Sequence, residues 1–237
     1  MNLAIDVGNT NTKLGLFKEN ELVKFYKFQN TELFDIQALF DEFMISKTMV
    51  SGSGDTSNII KQLPQKNTIL FDKKMIQNIR FEYDSLETLG ADRVLNSYAA
   101  NHLFPYQNNL IIDIGTCLTC SFIDKDQIFR GGSISPGLKM RAKAMHDYTF
   151  KLPLVDIKDS FFNPIGASTQ ESLQSGIFLG LESEINYRIQ LFLDKYSQLN
   201  VILTGGDAVF FENRIKNKIF ANLNLTLIGM NYLIQHV

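Results

Sequence analysis

The sequence has little of what metal and redox centres are made from. Of its 237 residues, two are cysteine and three are histidine. Two cysteines cannot build a disulfide framework. His102, His146 and His236 stand at no zinc-ligand spacing from one another or from the cysteines. No apolar run approaches the roughly 18 residues that span a bilayer, so no membrane segment is expected. No block of Lys and Arg occurs. The 23 basic and 25 acidic residues leave a net charge of −2, and the pI is about 5.9, a balance that disfavours binding to a nucleic-acid backbone. The opening "MNLAIDVGNT" shows no basic segment followed by an apolar stretch and a cleavage site, and the expected location is cytoplasmic. A Walker A loop, G-x-x-x-x-G-K-[ST], is missing. "SGSGD" (51–55) is rich in glycine but does not form the G-x-S-x-G of a nucleophile elbow.

What is present is an ordinary globular composition, 45% hydrophobic and 20% charged, enough for one large domain or two modest ones. Within it lies a repeat. Laying "NLAIDVGNTNT" (2–12) over "NLIIDIGTCLT" (109–119) matches Asn2 with Asn109, Leu3 with Leu110, Ile5 with Ile112, Asp6 with Asp113, Gly8 with Gly115 and Thr12 with Thr119. Such a register points to an internal duplication. Each copy continues as two strand-like runs about a polar turn, at Lys18–Glu21 and at Asp124–Gln127. Farther on, "NTELFDIQALFDEFM" has helical spacing, with Asn30 or Thr31 as its N-cap. "KTMVSGS" reads as a short buried strand, and "SLETLGADRVLNSYAANHLF" as a helix. A long helix is expected from a Ser168/Thr169 cap, "NVILTGGDAVFF" as strand, glycine turn and helix, and "LIGMNYLIQHV" as a closing apolar helix. The pattern predicts an α/β protein of two similar halves, 1–106 and 107–237, joined near Pro105–Asn108.

The C-x-x-C pair of Cys117 and Cys120 falls where the second copy turns back into a strand. Residues three apart on a strand face opposite ways, and a redox pair needs a helix N-terminus, so both read as small packing residues. The two D-x-G turns carry more chemistry. Gly8, Asn9, Thr10, Asn11 and Thr12, and likewise Gly115, Thr116 and Thr119, combine glycine with small polar residues whose backbone N–H groups can face an anion. Facing each other across a cleft, the turns would hold opposite ends of a polyphosphate, with Asp6 and Asp113 at the strand ends to hold cations. "LTGGDA" (203–208) is either a third ligand turn, admitting a purine or ribose close to the backbone, or a plain strand-to-helix turn with Asp207 as N-cap.

Taken in order, "DVGNTNTKLGLF", "GADR" (90–93), "DIGTCLT", "GGSISPG" (131–137), "TFKLP" (149–153), "STQESLQSGIFLG" (168–180) and "TGGD" resemble the motifs of the type III pantothenate kinases, within the acetate and sugar kinase, heat-shock chaperone and actin superfamily. The resemblance runs the length of the chain. It implies two ribonuclease-H-like (actin-like ATPase) halves, each a mixed sheet flanked by helices, with a cleft between. It implies ATP-dependent phosphorylation of pantothenate to 4'-phosphopantothenate, the first step of coenzyme A biosynthesis. By the same resemblance Asp6, Val7, Gly8, Asn9, Thr10, Asn11, Thr12, Lys13, Thr116, Gly205 and Gly206 would bind ATP. Tyr83, Gly90, Ala91, Asp92, Arg93 and Thr169 would bind pantothenate, with Asp92 as general base and Arg93 beside it. Asp113 would hold the monovalent cation, K⁺ or NH4⁺, and Asp6 would hold ATP-borne Mg²⁺ through water. A homodimer is implied as well. The sequence departs from the family pattern in lacking an Asn-Pro pair after Tyr83 and in having Cys117 where alanine is common.

The residues suit that chemistry. Phosphoryl transfer needs alignment and charge neutralisation, plus a carboxylate within reach of the attacking hydroxyl. The Arg93 fork next to Asp92 would hold carboxylate or phosphoryl oxygens and favour the ionised base. Without the resemblance, the same two residues read as a surface Asp–Arg pair opening a helix. Two other functions stay in view: an accessory transcription factor, which would need a basic DNA-reading element, and a superfamily kinase or phosphatase with another substrate.

Overall fold

In the computed structural model, which describes residues 1–157 and 163–237, the chain begins with the hairpin that its alternation predicts. β1 (Asn2–Val7) pairs antiparallel with β2 (Asn11–Lys18), which turns through Glu19 and Asn20 into β3 (Glu21–Gln29). Glu19 takes a φ of 55°, as tight hairpin turns require. Then come α1 (Gln37–Glu42), β4 (Lys47–Gly52), α2 (Ser57–Ile60), β5 (Thr68–Leu70), β6 (Arg80–Phe81) and α3 (Ala91–Leu103). β4 runs parallel to β1, giving a mixed sheet of order β3-β2-β1-β4-β5.

The plan then repeats. β7 (Asn109–Ile114) pairs antiparallel with β8 (Cys117–Ile123), followed by β9 (Ile128–Pro136), α4 (Leu138–Asp147) and α5 (Thr169–Leu193). β10 (Asn200–Thr204) lies parallel to β7, and β11 (Phe220–Ala221) parallel to β10, before α6 (Leu225–Ile234). The strands follow in the order β11-β10-β7-β8-β9, and β6 pairs parallel with β9, Arg80 against Ile128 and Phe81 against Phe129. Two mixed sheets flanked by helices are thus the architecture.

The two compact units are not consecutive stretches. One comprises Met1–Pro105, Gln127–Phe129 and Asn224–Val237; the other comprises Tyr106–Asp126 and Arg130–Leu223. The sequence reading drew a single boundary, between 106 and 107. Residues 224–237 return to the first unit because α6 packs on α3 and β1. Residues 127–129 return because the N–H groups of Arg80 and Glu82 donate to the carbonyls of Gln127 and Phe129.

Each sheet is sealed by a separate core. In the first unit Leu3, Ile5, Val7, Leu14, Leu16 and Val50 fill one face with Ile36, Leu39 and Ile59. In the second, Leu173, Ile177, Leu181, Ile185 and Ile189 recur every fourth residue along α5 and bury against Leu110, Ile112 and Leu118. That helix starts where the sequence places it. Ser168 Oγ accepts from the Glu171 N–H, a cap whose loss costs about 1 kcal/mol.

Three expectations change. The helix expected from Asn30 or Thr31 begins only at Gln37, because Asn30 is bonded into the first turn instead. "GGDAVFF" supports only a single 3-10 turn, Ala208–Phe210, with no side-chain cap from Asp207. The repeat also slips past its glycines. Thr12 pairs with Val7, but Thr119 pairs with Asp113, since the second turn is one residue shorter. The Thr12/Thr119 identity is therefore not a structural equivalence.

Candidate active site

Four strand-end segments of the first unit meet at the tip of β1. The Gly8 N–H donates to the Asn11 carbonyl at 3.0 Å and closes the turn from Val7 to Thr12. The Gly54 N–H donates to the Val7 carbonyl at 3.0 Å, bringing "SGSGD" over this turn, and a Cβ at residue 54 would collide with the Gly8 carbonyl. Asn30 completes the frame. Its Nδ2 donates to the Gly8 carbonyl at 2.8 Å, and its Oδ1 accepts from Thr12 Oγ1 at 2.9 Å. Thr12 is buried, whereas Asn9 and Thr10 are exposed at the apex. Asp6, half-buried, stands opposite Lys13 on β2 and level with Ser51 on β4.

The same unit carries "GADR". Gly90 is the extended residue before α3, and the Asp92 carboxylate accepts the Arg93 N–H at 2.8 Å, an acid in the first turn where the helix dipole favours it. Arg93 is 5% exposed, so the surface-pair reading fails. Its guanidinium lies 5.8 Å from the Tyr83 ring centre and 5.6 Å from that of Phe129. Tyr83, Gly90, Ala91, Asp92 and Arg93 therefore form one cluster.

Contacts along the helices fix which end of the sheet this cluster occupies. Asn2 Nδ2 reaches Asn231 Oδ1 at 3.1 Å, tying the start of β1 to the end of α6. Thr226 Oγ1 reaches Asn96 Oδ1 at 2.8 Å, and the His102 and Tyr232 rings lie 3.8 Å apart, so α3 and α6 run side by side in the same direction. Both helices oppose β1. The tip of β1, with Asp6 and the Gly8 turn, and the start of α3, with Asp92, consequently lie at one end of the unit.

In the second unit, the Gly115 N–H donates to the Cys117 carbonyl at 2.9 Å and the Gly137 N–H to the Thr116 carbonyl at 3.1 Å. Asp113, half-buried, lies level with Thr204 on β10. Gly205 follows with φ 99°, and a Cβ there would strike the Ile114 carbonyl and the Asp113 carboxylate. Only glycine permits that approach. Asp207 N–H closes the packing on the Ile114 carbonyl at 2.9 Å. Asp113, Thr116, Gly205 and Gly206 thus come together, with Thr116 and Gly206 exposed.

Thr169 opens α5 in the same unit. The guanidinium of Arg141, in the first turns of α4, pairs with Glu184, which also accepts from Ser135 Oγ at 2.7 Å. Thr169 is fifteen residues up α5 from Glu184, about 22 Å along the axis at 1.5 Å per residue. Burial raises the Glu184 pKa, but hydrogen bonds from Ser135, Arg188 and Arg141 outweigh it and hold the carboxyl below its ordinary range. Cys120 is 2% exposed within the core, and Cys117 opens β8 half-buried. Neither is in a disulfide.

Among the described residues no group of three His, Cys, Asp or Glu side chains is placed to hold a metal ion. Nor is any described helix long and apolar enough to cross a membrane.

A family model of type III pantothenate kinases matches residues 2–190. The chain belongs to the type III pantothenate kinases. It is similar to the type III pantothenate kinase of Flavobacterium johnsoniae, 36% identical over 240 residues covering 100% of this chain and 98% of that one. It is likewise similar to that of Cytophaga hutchinsonii, 39% identical over 241 residues covering 100% and 99%. Two solved structures share its fold. A Campylobacter jejuni protein, described provisionally as a Baf family transcriptional activator, superposes with TM-score 0.62 at 22% identity over 99% of this chain and 98% of its own. The activator of 2-hydroxyisocaproyl-CoA dehydratase from Clostridium difficile does so with TM-score 0.54 at 13% identity, over 99% and 94%. Membership makes the chain a kinase of coenzyme A biosynthesis whose acceptor is pantothenate, and sets aside the other superfamily chemistries.

Two contributors escaped the sequence reading. Asn30 looked like a helix cap, although its place directly after the alternation of β3 was the clue. "SGSGD" was dismissed as a nucleophile motif, yet its glycines serve the turn at Gly8.

Proposed function

We propose that the two glycine turns hold the phosphates of ATP while Asp92 deprotonates the primary hydroxyl of pantothenate. The alcohol oxygen bonds to the γ-phosphorus as the bond to the β,γ-bridging oxygen breaks, and ADP leaves with that oxygen. Asp6, Val7, Gly8, Asn9, Thr10, Asn11, Thr12 and Lys13 bind ATP in the first turn, and Thr116, Gly205 and Gly206 in the second. Tyr83, Gly90, Ala91, Arg93 and Thr169 surround the acceptor. Arg93, seated against two aromatic rings, fixes the direction of the loop that carries Tyr83. Asp113 holds K⁺ or NH4⁺, which offsets repulsion between triphosphate and protein carboxylates. Asp6 faces Mg²⁺ through water, and the ion's chemistry is to neutralise charge on the phosphate oxygens.

The observation that supports this most is the shared end of the first unit, where the β1 tip and Asp92 lie together. The enzyme acts as a homodimer in the cytoplasm. Supporting the dimer, Tyr148 and Phe150, just after α4, are 90% and 101% exposed, an unusual place for large apolar rings on a monomer.

The test is ADP release by the purified chain with ATP, K⁺ and pantothenate. Asp92→Asn should lower kcat about 10²- to 10⁴-fold, the worth of a positioned base, with the KM for ATP little changed. Equal ADP release with and without pantothenate would overturn the assignment.

A further inference from the structure

The described residues contain one buried side-chain polar atom without a hydrogen-bond partner, Ser51 Oγ. A hydroxyl in that state is destabilising, and native folds retain such atoms rarely and for a reason. Ser51 is 4% exposed. It sits on β4 in register with Asp6 on the parallel neighbour β1. Parallel neighbours lie about 4.8 Å apart, and residues in register point to the same face. On its other side Asp6 is flanked by Lys13 of β2. Asp6 thus lies in the sheet between Lys13 and Ser51, whose hydroxyl makes no bond.

Bulk water cannot supply the missing partner, because Ser51 Oγ has almost no accessible surface. A side chain that turns can. Asp6 is half-buried, is level with Ser51, and carries two oxygens. We infer that Ser51 is a positioning residue for Asp6: its hydroxyl donates to one carboxylate oxygen when nucleotide binds, leaving the other aimed at the triphosphate and its cation. The unbonded hydroxyl is then a donor held ready. The backbone around it is arranged for such a register, since Gly54 anchors the segment after β4 to the Val7 carbonyl one residue beyond Asp6.

The inference rests on the proposed place of Asp6 in the ATP site, and the experiment separates the two. The full chain, Ser51→Ala, Asp6→Asn and the double variant are titrated calorimetrically with Mg²⁺ and a non-hydrolysable ATP analogue, and their melting temperatures are taken without ligand. Ser51→Ala should melt at the same temperature as the parent or higher, since it deletes an unbonded buried group. It should bind the analogue about tenfold more weakly, the worth of one hydrogen bond to a charged group, with the KM for pantothenate unchanged. Asp6→Asn should lose more, and adding Ser51→Ala to it should lose nothing further. A lowered melting temperature for Ser51→Ala without ligand would mean the hydroxyl is already bonded and would overturn the inference. So would unchanged analogue affinity in Ser51→Ala alongside a loss in Asp6→Asn, although the reading of Asp6 would then stand. Unchanged affinity in Asp6→Asn would remove that reading and the inference with it.

Discussion

Replacing Asn30 by alanine removes two side-chain hydrogen bonds from the first turn and leaves the backbone bond from the Asn30 N–H to the Thr10 carbonyl in place. The two losses differ. The Gly8 carbonyl lies near the surface, where water substitutes, and its bond is worth about 0.5–1 kcal/mol. Thr12 is 2% exposed, so its hydroxyl becomes an orphan at a cost of about 1–2 kcal/mol. Together Asn30→Ala should cost about 2 kcal/mol. Thr12→Val deletes the donor itself and should cost less, about 1 kcal/mol. In the double variant no orphan remains, so the losses should fall short of their sum by about 1 kcal/mol. Denaturant unfolding measured by a probe in the first unit supplies the stabilities, because two compact units need not melt as one. Steady-state kinetics supply the functional half: the KM for ATP should rise severalfold in Asn30→Ala while that for pantothenate stays put. Strict additivity, or a rise in the pantothenate KM alone, would refute the claim that Asn30 clamps the proposed ATP turn through Thr12.

Other consequences can be measured in the same way. Gly205→Ala forces a side chain into a left-handed backbone against the Ile114 carbonyl; it should cost about 1–3 kcal/mol and abolish activity, and a variant as stable and active as the parent would contradict the geometry. Asp113→Ala should erase stimulation by K⁺ while ATP-dependent activity persists at a low level, read as rate against K⁺ concentration. For Glu184, whose folded pKa is held below the ordinary value, the stabilising contribution is complete above about pH 4.5 and is lost as pH falls through the folded value. Melting temperature against pH should therefore drop below that point more steeply in the parent than in Glu184→Gln.

Local patterns were legible wherever local physics decides. The ends of β2 and β3 fall at Lys18 and Glu21, and those of β8 and β9 at Ile123 and Ile128, where alternation gives way to polar turns. The Ser168 cap was legible for the same reason. The misses are tertiary. Asn30 is a reasonable cap by type, but Gly8 and Thr12 compete for its side chain and win, and the helix waits until Gln37. The repeat predicts both D-x-G tips, yet identity could not reveal that the second turn is a residue shorter and that Thr119 faces differently from Thr12. Asp6, the Gly8 turn and "GADR" lie at one end of a unit.

The return of residues 224–237 to the first unit bears on how the protein is made. The α3 side of the first sheet is left without α6 until those residues emerge from the ribosome, long after β1 to β5 have been synthesised. During translation the turn at Gly8 thus belongs to a half-finished body, and damage to residues 224–237 would be felt far away in sequence, in the fold around β1.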